Sequence, residues 1–178
     1  GGCVGTSNVL AGEMFDVPIM GTHAHSWIMT FKDEYTAFKE YARLYPDACT
    51  LLVDTYDTLK SGVPNAIRVF TEMREAGIKP KSYGIRLDSG DLAYLSKKAR
   101  KMLDDAGFQD AVIAASNDLD EFLIHDLKMQ GAAISSWGVG TNLITSKDCP
   151  SFGGVYKLAA IQNAEGEFQP KIKISENI

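Results

Sequence analysis

SYGIRLDSGD (Ser82–Asp91) runs without a break into DLAYLSKKARKMLDDAG (Asp91–Gly107). The first half reads as a strand that ends at Asp88. The second reads as a helix that Gly107 stops, with Ser89 placed to cap it. The same strand-then-helix order recurs on both sides. Upstream, TLLVDTYDT (Thr50–Thr58) is an apolar run ending in Asp54 and Asp57, and NAIRVFTEMREAG (Asn65–Gly77) spaces Ile67, Phe70, Met73 and Arg74 helically before a stop glycine. Downstream, AVIAASND (Ala111–Asp118) is a strand ending at Asn117 and Asp118. LDEFLIHDLKMQG (Leu119–Gly131) is the helix after it, and AAISSWGVGTNL (Ala132–Leu143) is a strand ending in a glycine-rich turn. Nearer the start, VPIMGTHAHSW (Val17–Trp27) reads as another strand and DEYTAFKEYARLY (Asp33–Tyr45) as its helix.

Strands alternating with helices predict a parallel sheet with helical crossovers. The expected strand ends carry His25, Asp54, Asp88, Asn117, Asp118 and the GVGT turn. Polar groups at the carboxyl end of nearly every strand are the layout of an α/β-barrel active face. An open doubly wound sheet would gather them at one switch point instead. The expected fold is therefore α/β, an incomplete TIM-type barrel. About five or six strands are legible, fewer than a closed barrel needs.

The 178 residues are 45% hydrophobic and 23% charged, enough for one sizeable core. The net charge of -5 gives no support to nucleic-acid or anionic-membrane binding. No apolar run reaches about 18 residues, and no signal-peptide pattern opens the chain. Cys3, Cys49 and Cys149 are odd in number and lack C-x-x-C spacing. A disulfide framework or zinc knuckle is not expected, and a reducing cytosol fits. There is no initiator Met, and KIKISENI (Lys171–Ile178) ends in a strand pattern. We expect a piece of a longer protein.

GTHAHSWIM (Gly21–Met29) holds His23 and His25. On a strand, a spacing of two puts both on one face. They could form a metal pair, which needs further ligands. Alternatively one is a nucleophile or acid/base held by a carboxylate such as Asp54, or both are structural. His125 lies mid-helix, away from such a role. RLDSGD (Arg86–Asp91) sets a guanidinium fork for phosphate or carboxylate beside aspartates suited to sugar hydroxyls or magnesium. Gly138 and Gly140 could cradle a phosphate with backbone N–H groups, or simply make a tight turn. GTSN (Gly5–Asn8) is a hydroxyl-rich turn before a helix, with the cap as its plain reading.

Taken together, GTSNVLAG, VPIMGTHAHSW, LLVDTYDT, YGIRLDSGDL, SNDLDE, GVGTNLITS and VYKL resemble, in order and spacing, the C-terminal barrel half of the nicotinate phosphoribosyltransferase family. The resemblance covers nearly the whole chain. It implies a cytosolic enzyme of NAD salvage that joins nicotinate to phosphoribosyl pyrophosphate, giving nicotinate mononucleotide and pyrophosphate with coupled ATP hydrolysis. Mg2+ would arrive with phosphoribosyl pyrophosphate and ATP, and no tightly bound organic cofactor, nucleic acid or membrane is implied. Family members are commonly homodimers. Residues 1–178 would be the catalytic barrel domain without its N-terminal domain and C-terminal tail, and inactive on their own.

The resemblance also implies roles. The family pattern Gly-Thr-x-Ala-His-Ser places the ATP-phosphorylated histidine at His25 and leaves His23 on the variable position. Asp54 matches the carboxylate that contacts it. Arg86 and Asp88 match positions near the pyridine ring and ribose hydroxyls, and Asn117 and Asp118 the next strand end, also near the ribose. Gly138, Gly140 and Thr141 match the loop holding the ribose 5-phosphate. Ser7 matches a base-recognition position where the related nicotinamide enzyme has an Asp, and the serine favours nicotinate. Asp57 or Asp88 could help place magnesium. Two other readings stand beside this one: a non-catalytic barrel fragment binding a phosphorylated ligand, and a metal-dependent barrel hydrolase.

Overall fold

The computed structural model describes residues 2–145, 154 and 156–174. Cys149, Ser146 and Val155 of the motifs above, and residues 175–178 of the final stretch, lie outside the described residues. Strands β1 (Ala48–Leu52), β2 (Ser82–Leu87), β3 (Val112–Ala115) and β4 (Ser136–Trp137) form one parallel sheet in sequential order. Helices α4 (Val63–Glu75), α5 (Leu92–Asp105) and α6 (Glu121–Met129) make the crossovers. Before them come α1 (Val9–Phe15), α2 (His25–Thr30) and α3 (Glu34–Leu44). A short α7 (Thr141–Ile144) and an antiparallel pair, β5 (Ala160–Gln162) with β6 (Phe168–Pro170), follow.

Burial alternates along β3, and the buried side chains of the strands pack with those of the helices in one core. Leu51, Leu52 and Val53 are buried, as are Ile85, Leu87 and Ile113 in the neighbouring strands. Phe38 of α3 and Leu103 of α5 join them in one core. Each such side chain contributes about 1.5–3 kcal/mol by leaving water. Gly84 sits where β2 and β3 approach most closely: a Cβ there would lie 2.0 Å from the Val112 carbonyl oxygen.

Helix α5 shows how the local code works. Leu92, Leu95, Ala99 and Leu103 recur at helical spacing and are buried. The cap is Asp91, whose carboxylate accepts from the Tyr94 N–H at 2.9 Å, and not Ser89 as expected. Ser89 lies too far from the first turn and is bonded elsewhere. Gly107, at φ 81°, stops the helix. Between β1 and α4 the chain makes a π-helical turn over Thr58–Gly62, capped by Asp57, whose Oδ1 accepts from the Lys60 N–H at 2.8 Å.

The expected strand over Val17–Trp27 does not form. Among the described residues its only ladder contact is an isolated bridge from Ile19 to Thr6, and His25 instead opens α2. A strand here needs a backbone partner at the outer edge of β1. That edge is met by a side chain, with His23 Nε2 accepting from the Leu52 N–H at 3.2 Å.

Register places the polar groups. Leu52 pairs with Arg86, and Arg86 with Ala114. Two residues further on, Asp54, Asp88 and Ser116 leave the sheet in one row, on the face that alternation gives them.

Candidate active site

At the carboxyl end of the sheet the first turn of α2 meets this row. His25 Nδ1 lies 3.0 Å from Thr55 Oγ1. Its Nε2 faces two carboxylates, 3.5 Å from Asp88 Oδ2 and 3.9 Å from Asp54 Oδ1. Among the described residues, neither Nε2 nor the buried Asp54 Oδ1 has a hydrogen-bond partner, although Nε2 lies within ion-pair distance of both carboxylates. The direct hydrogen bond expected between Asp54 and His25 is thus not made, although the groups are neighbours. The other Asp54 oxygen explains why. Oδ2 accepts from the Asp88 N–H at 2.9 Å and from the Ser89 hydroxyl, which fixes the carboxylate against the β2 exit.

Asp88 is held from the other side. Its Oδ1 accepts from Arg86 at 3.1 Å and from the Ser116 hydroxyl. Burial opposes its ionisation, but His25, Ser116 and the Arg86 charge outweigh burial and hold the carboxyl well below the usual range. Each of the three guanidinium nitrogens of Arg86 makes a hydrogen bond. Nε donates to Ser116 Oγ at 2.9 Å and a terminal nitrogen to Thr22 Oγ1 at 2.7 Å. The guanidinium therefore ties the segment before α2 to β2 and β3.

His23 plays no part in this cluster. Its ring is 4.6 Å from the Tyr41 ring, edge to face, and burial pushes its pKa down to about 4. Since residues 22–24 are not a strand and His25 is helical, the spacing of two turns the rings to different surroundings. His125 is exposed on α6.

The remaining sequence candidates surround the cluster unevenly. Asn117 and Asp118 follow Ser116, exposed, with φ of 94° and 48°. Consecutive left-handed non-glycine residues are strained, and such strain concentrates at functional sites. Asp57 caps the π-helical turn and pairs with Lys60 at 3.4 Å. Gly138, Gly140 and Thr141 lie past β4, but the Gly138 N–H donates to the Ala115 carbonyl at 2.8 Å and is not free for a phosphate. Ser7 is exposed near the start, and the cap of α1 is Asn8, which accepts from the Ala11 N–H at 3.0 Å. A cleft of about 900 Å³ runs along the outer edge of β1 by His23 and Tyr41 and does not include His25. Among the described residues, no group of three or more His, Cys, Asp or Glu is placed to hold a metal ion, and no helix is long and apolar enough to cross a membrane.

Four residues that sequence motifs did not single out for the site complete it: Thr22, Thr55, Ser89 and Ser116. Ser116 was accessible from the alternation past Ala114. Thr55 needs the α2 geometry, which the sequence did not give away.

An imidazole anchored at one nitrogen by a hydroxyl, with the other directed at two fixed carboxylates, is equipped for acid/base or nucleophilic work. It stands on the first turn of α2, facing carboxylates at the carboxyl ends of parallel strands, where α/β folds place their sites. The chain belongs to the nicotinate phosphoribosyltransferase (NAPRTase) family, whose model matches residues 2–177. It is 60% identical over 177 residues to the nicotinate phosphoribosyltransferase of Bacillus subtilis (strain 168), covering 99% of this chain and 35% of that protein. It is 41% identical over 221 residues to that of Dictyostelium discoideum, covering 99% and 36%. Among solved structures it resembles human nicotinic acid phosphoribosyltransferase with a TM-score of 0.69 at 28% identity, over 78% of this chain and 38% of that one. It shares the fold of nicotinate phosphoribosyltransferase from Vibrio cholerae, with a TM-score of 0.67 at 22% identity over 98% and 43%. The chain thus spans about a third of the length of the curated relatives it matches.

Proposed function

We propose that this chain is the catalytic barrel part of an enzyme that makes nicotinate mononucleotide from nicotinate and phosphoribosyl pyrophosphate, with ATP hydrolysis coupled through phosphorylation of His25. Family membership supports the overall reaction. The observation that carries the site is the unpartnered, buried Nε2 of His25 beside Asp54 and Asp88. Sequential strand order supports a barrel, since a doubly wound sheet reverses direction at a switch point. The same reading makes the whole protein a cytosolic homodimer.

The residues divide the work by position. Thr55 holds the His25 ring at Nδ1. Asp88, held ionised, and Asp54 fix the charge around Nε2. Asn117, Asp118 and Thr141 stand on the rim, where the ribose and its phosphate would lie, and Ser7 would meet the base. Magnesium bound to substrate phosphates needs only one or two protein carboxylates. Asp54, with one buried oxygen unpartnered, and Asp88 fit that need, while Asp57 is committed to its turn. When bound, the ion would neutralise phosphate charge. The transfer itself passes through a cationic ribosyl centre, so positioning and fixed charge matter more than a protein nucleophile at the sugar.

The test is direct. The whole protein that carries this chain is incubated with nicotinate, phosphoribosyl pyrophosphate and magnesium, with and without ATP, and nicotinate mononucleotide is measured by chromatography. ATP-stimulated product is expected. Absence of product, or product from nicotinamide alone, would overturn the reading.

A further inference from the structure

Two units meet at His25. The α2–α3 segment carries the histidine. The exit of β1, with the π-helical turn and α4, carries Asp54 and Thr55. At the site they touch through the 3.0 Å contact between His25 and Thr55. Behind the site they touch again through Glu34, the first residue of α3.

Glu34 is only 3% exposed. Its Oε2 accepts from the Ser61 hydroxyl at 2.5 Å and from Asn65 Nδ2 at 3.0 Å, and Asn65 also donates to Ser61 at 3.3 Å. Among the described residues its buried Oε1 has no hydrogen-bond partner, nor has the hydroxyl of Thr58 in the same turn. Ser61 belongs to the π-helical turn, and that turn presses directly on the strand exit. A Cβ on Gly62 would lie 1.8 Å from the Val53 carbonyl oxygen, one residue before Asp54. The chain of contact is therefore short and rigid: Glu34 to Ser61, Gly62 to Val53, then Asp54 and Thr55 to His25.

Burying a carboxyl costs free energy whether or not it ionises. Here burial pushes its pKa up, the Ser61 and Asn65 hydrogen bonds act against that, and Asp54 and Asp57 push it further up. An apolar residue would fill the space more cheaply but would not tie α3 to this turn. We propose that Glu34 is a positioning residue for His25: its buried tie to Ser61 and Asn65 fixes the separation of the two units, and with it the distances from the imidazole to Thr55, Asp54 and Asp88.

The inference rests on His25 being the reacting residue, and its test has one arm independent of that. With 15N-labelled histidine, the ring resonances of His25 are compared at one fixed pH in the wild type, Glu34→Ala and Glu34→Gln. Glu34→Ala should move the His25 ring signals. It should also slow transfer of label from γ-labelled ATP at least about tenfold, towards about 100-fold for a displacement near 1 Å. Glu34→Gln, with the same shape and an oxygen for Ser61, should recover most of both. If Glu34→Ala does not fold, Ser61→Ala and Asn65→Ala, each removing one donor, should move the same signals. Unmoved His25 signals in these variants, or no recovery with Gln, would overturn the proposal. Moved signals in a protein whose wild type makes no nicotinate mononucleotide would uphold the positioning role and remove the functional reading.

Discussion

Acidification should unfold this protein through His23. The ring is buried against Tyr41, and its folded pKa is about 4 against 6.5 for a free side chain. Between those values the unfolded chain binds the proton and the folded chain does not. Stability therefore falls as pH drops from about 6.5 and the loss levels off below about 4. At about 1.4 kcal/mol per pH unit, the full span amounts to about 3 kcal/mol, a large share of a typical domain's stability. His23→Gln removes the titration and keeps an acceptor near the Leu52 N–H, which His23 Nε2 now serves at 3.2 Å. Urea unfolding, followed by the fluorescence of Trp27 and Trp137, gives the stability of both proteins from pH 7.5 to 4.5. The other titrating groups cancel in the difference. That difference should be flat above pH 7 and move against the wild type by about 2–3 kcal/mol by pH 4.5. Parallel curves across the whole range would refute the assignment of His23 as a buried neutral ring.

Gly84→Ala should lower stability by about 1–3 kcal/mol or more, since its Cβ would strike the Val112 backbone, and an unchanged urea midpoint would contradict the close approach of β2 and β3. Asp54→Asn should leave the fold in place by circular dichroism yet cut nicotinate mononucleotide formation at least about tenfold, because it removes one of the two charges beside His25; retention of the rate would exclude that role. Thr55→Val, nearly the same size, should slow the ATP-dependent step by a similar factor through loss of the Nδ1 contact, with the KM for nicotinate unchanged. Ser7→Asp should shift the ratio of kcat/KM for nicotinate over nicotinamide toward nicotinamide at least about tenfold, by setting like charges together; an unchanged ratio would remove Ser7 from the base site.

The sheet was legible because its strands are short apolar runs closed by glycine-stopped helices. LLVD, GIRLD and VIAAS each end one row of the same register, and alternation alone aligns Asp54, Asp88 and Ser116. The region around His25 was not legible in that way. VPIMGTHAHSW has strand composition, but a strand exists only where a backbone ladder receives it, and His23 meets the β1 edge with its side chain. That substitution of side chain for backbone turned the two histidines apart and started α2 at His25. Ser89 was misread for a related reason: a hydroxyl near a helix start suits a cap, and only the neighbouring strand shows that Asp54 claims it. The glycine turn after β4 follows the expected position but not the expected availability, because the Gly138 N–H completes the contact with β3.

The central claim is that His25 receives a phosphoryl group while His23 and His125 do not. The whole protein that carries this chain is incubated with ATP and magnesium, digested at alkaline pH, and the acid-labile phosphate is mapped by mass spectrometry. We expect it on the peptide containing residues 21–29, at His25, lost in His25→Ala and kept in His23→Gln. Phosphate on His23 or His125, or ATP-stimulated nicotinate mononucleotide formation that survives in His25→Ala, would contradict it.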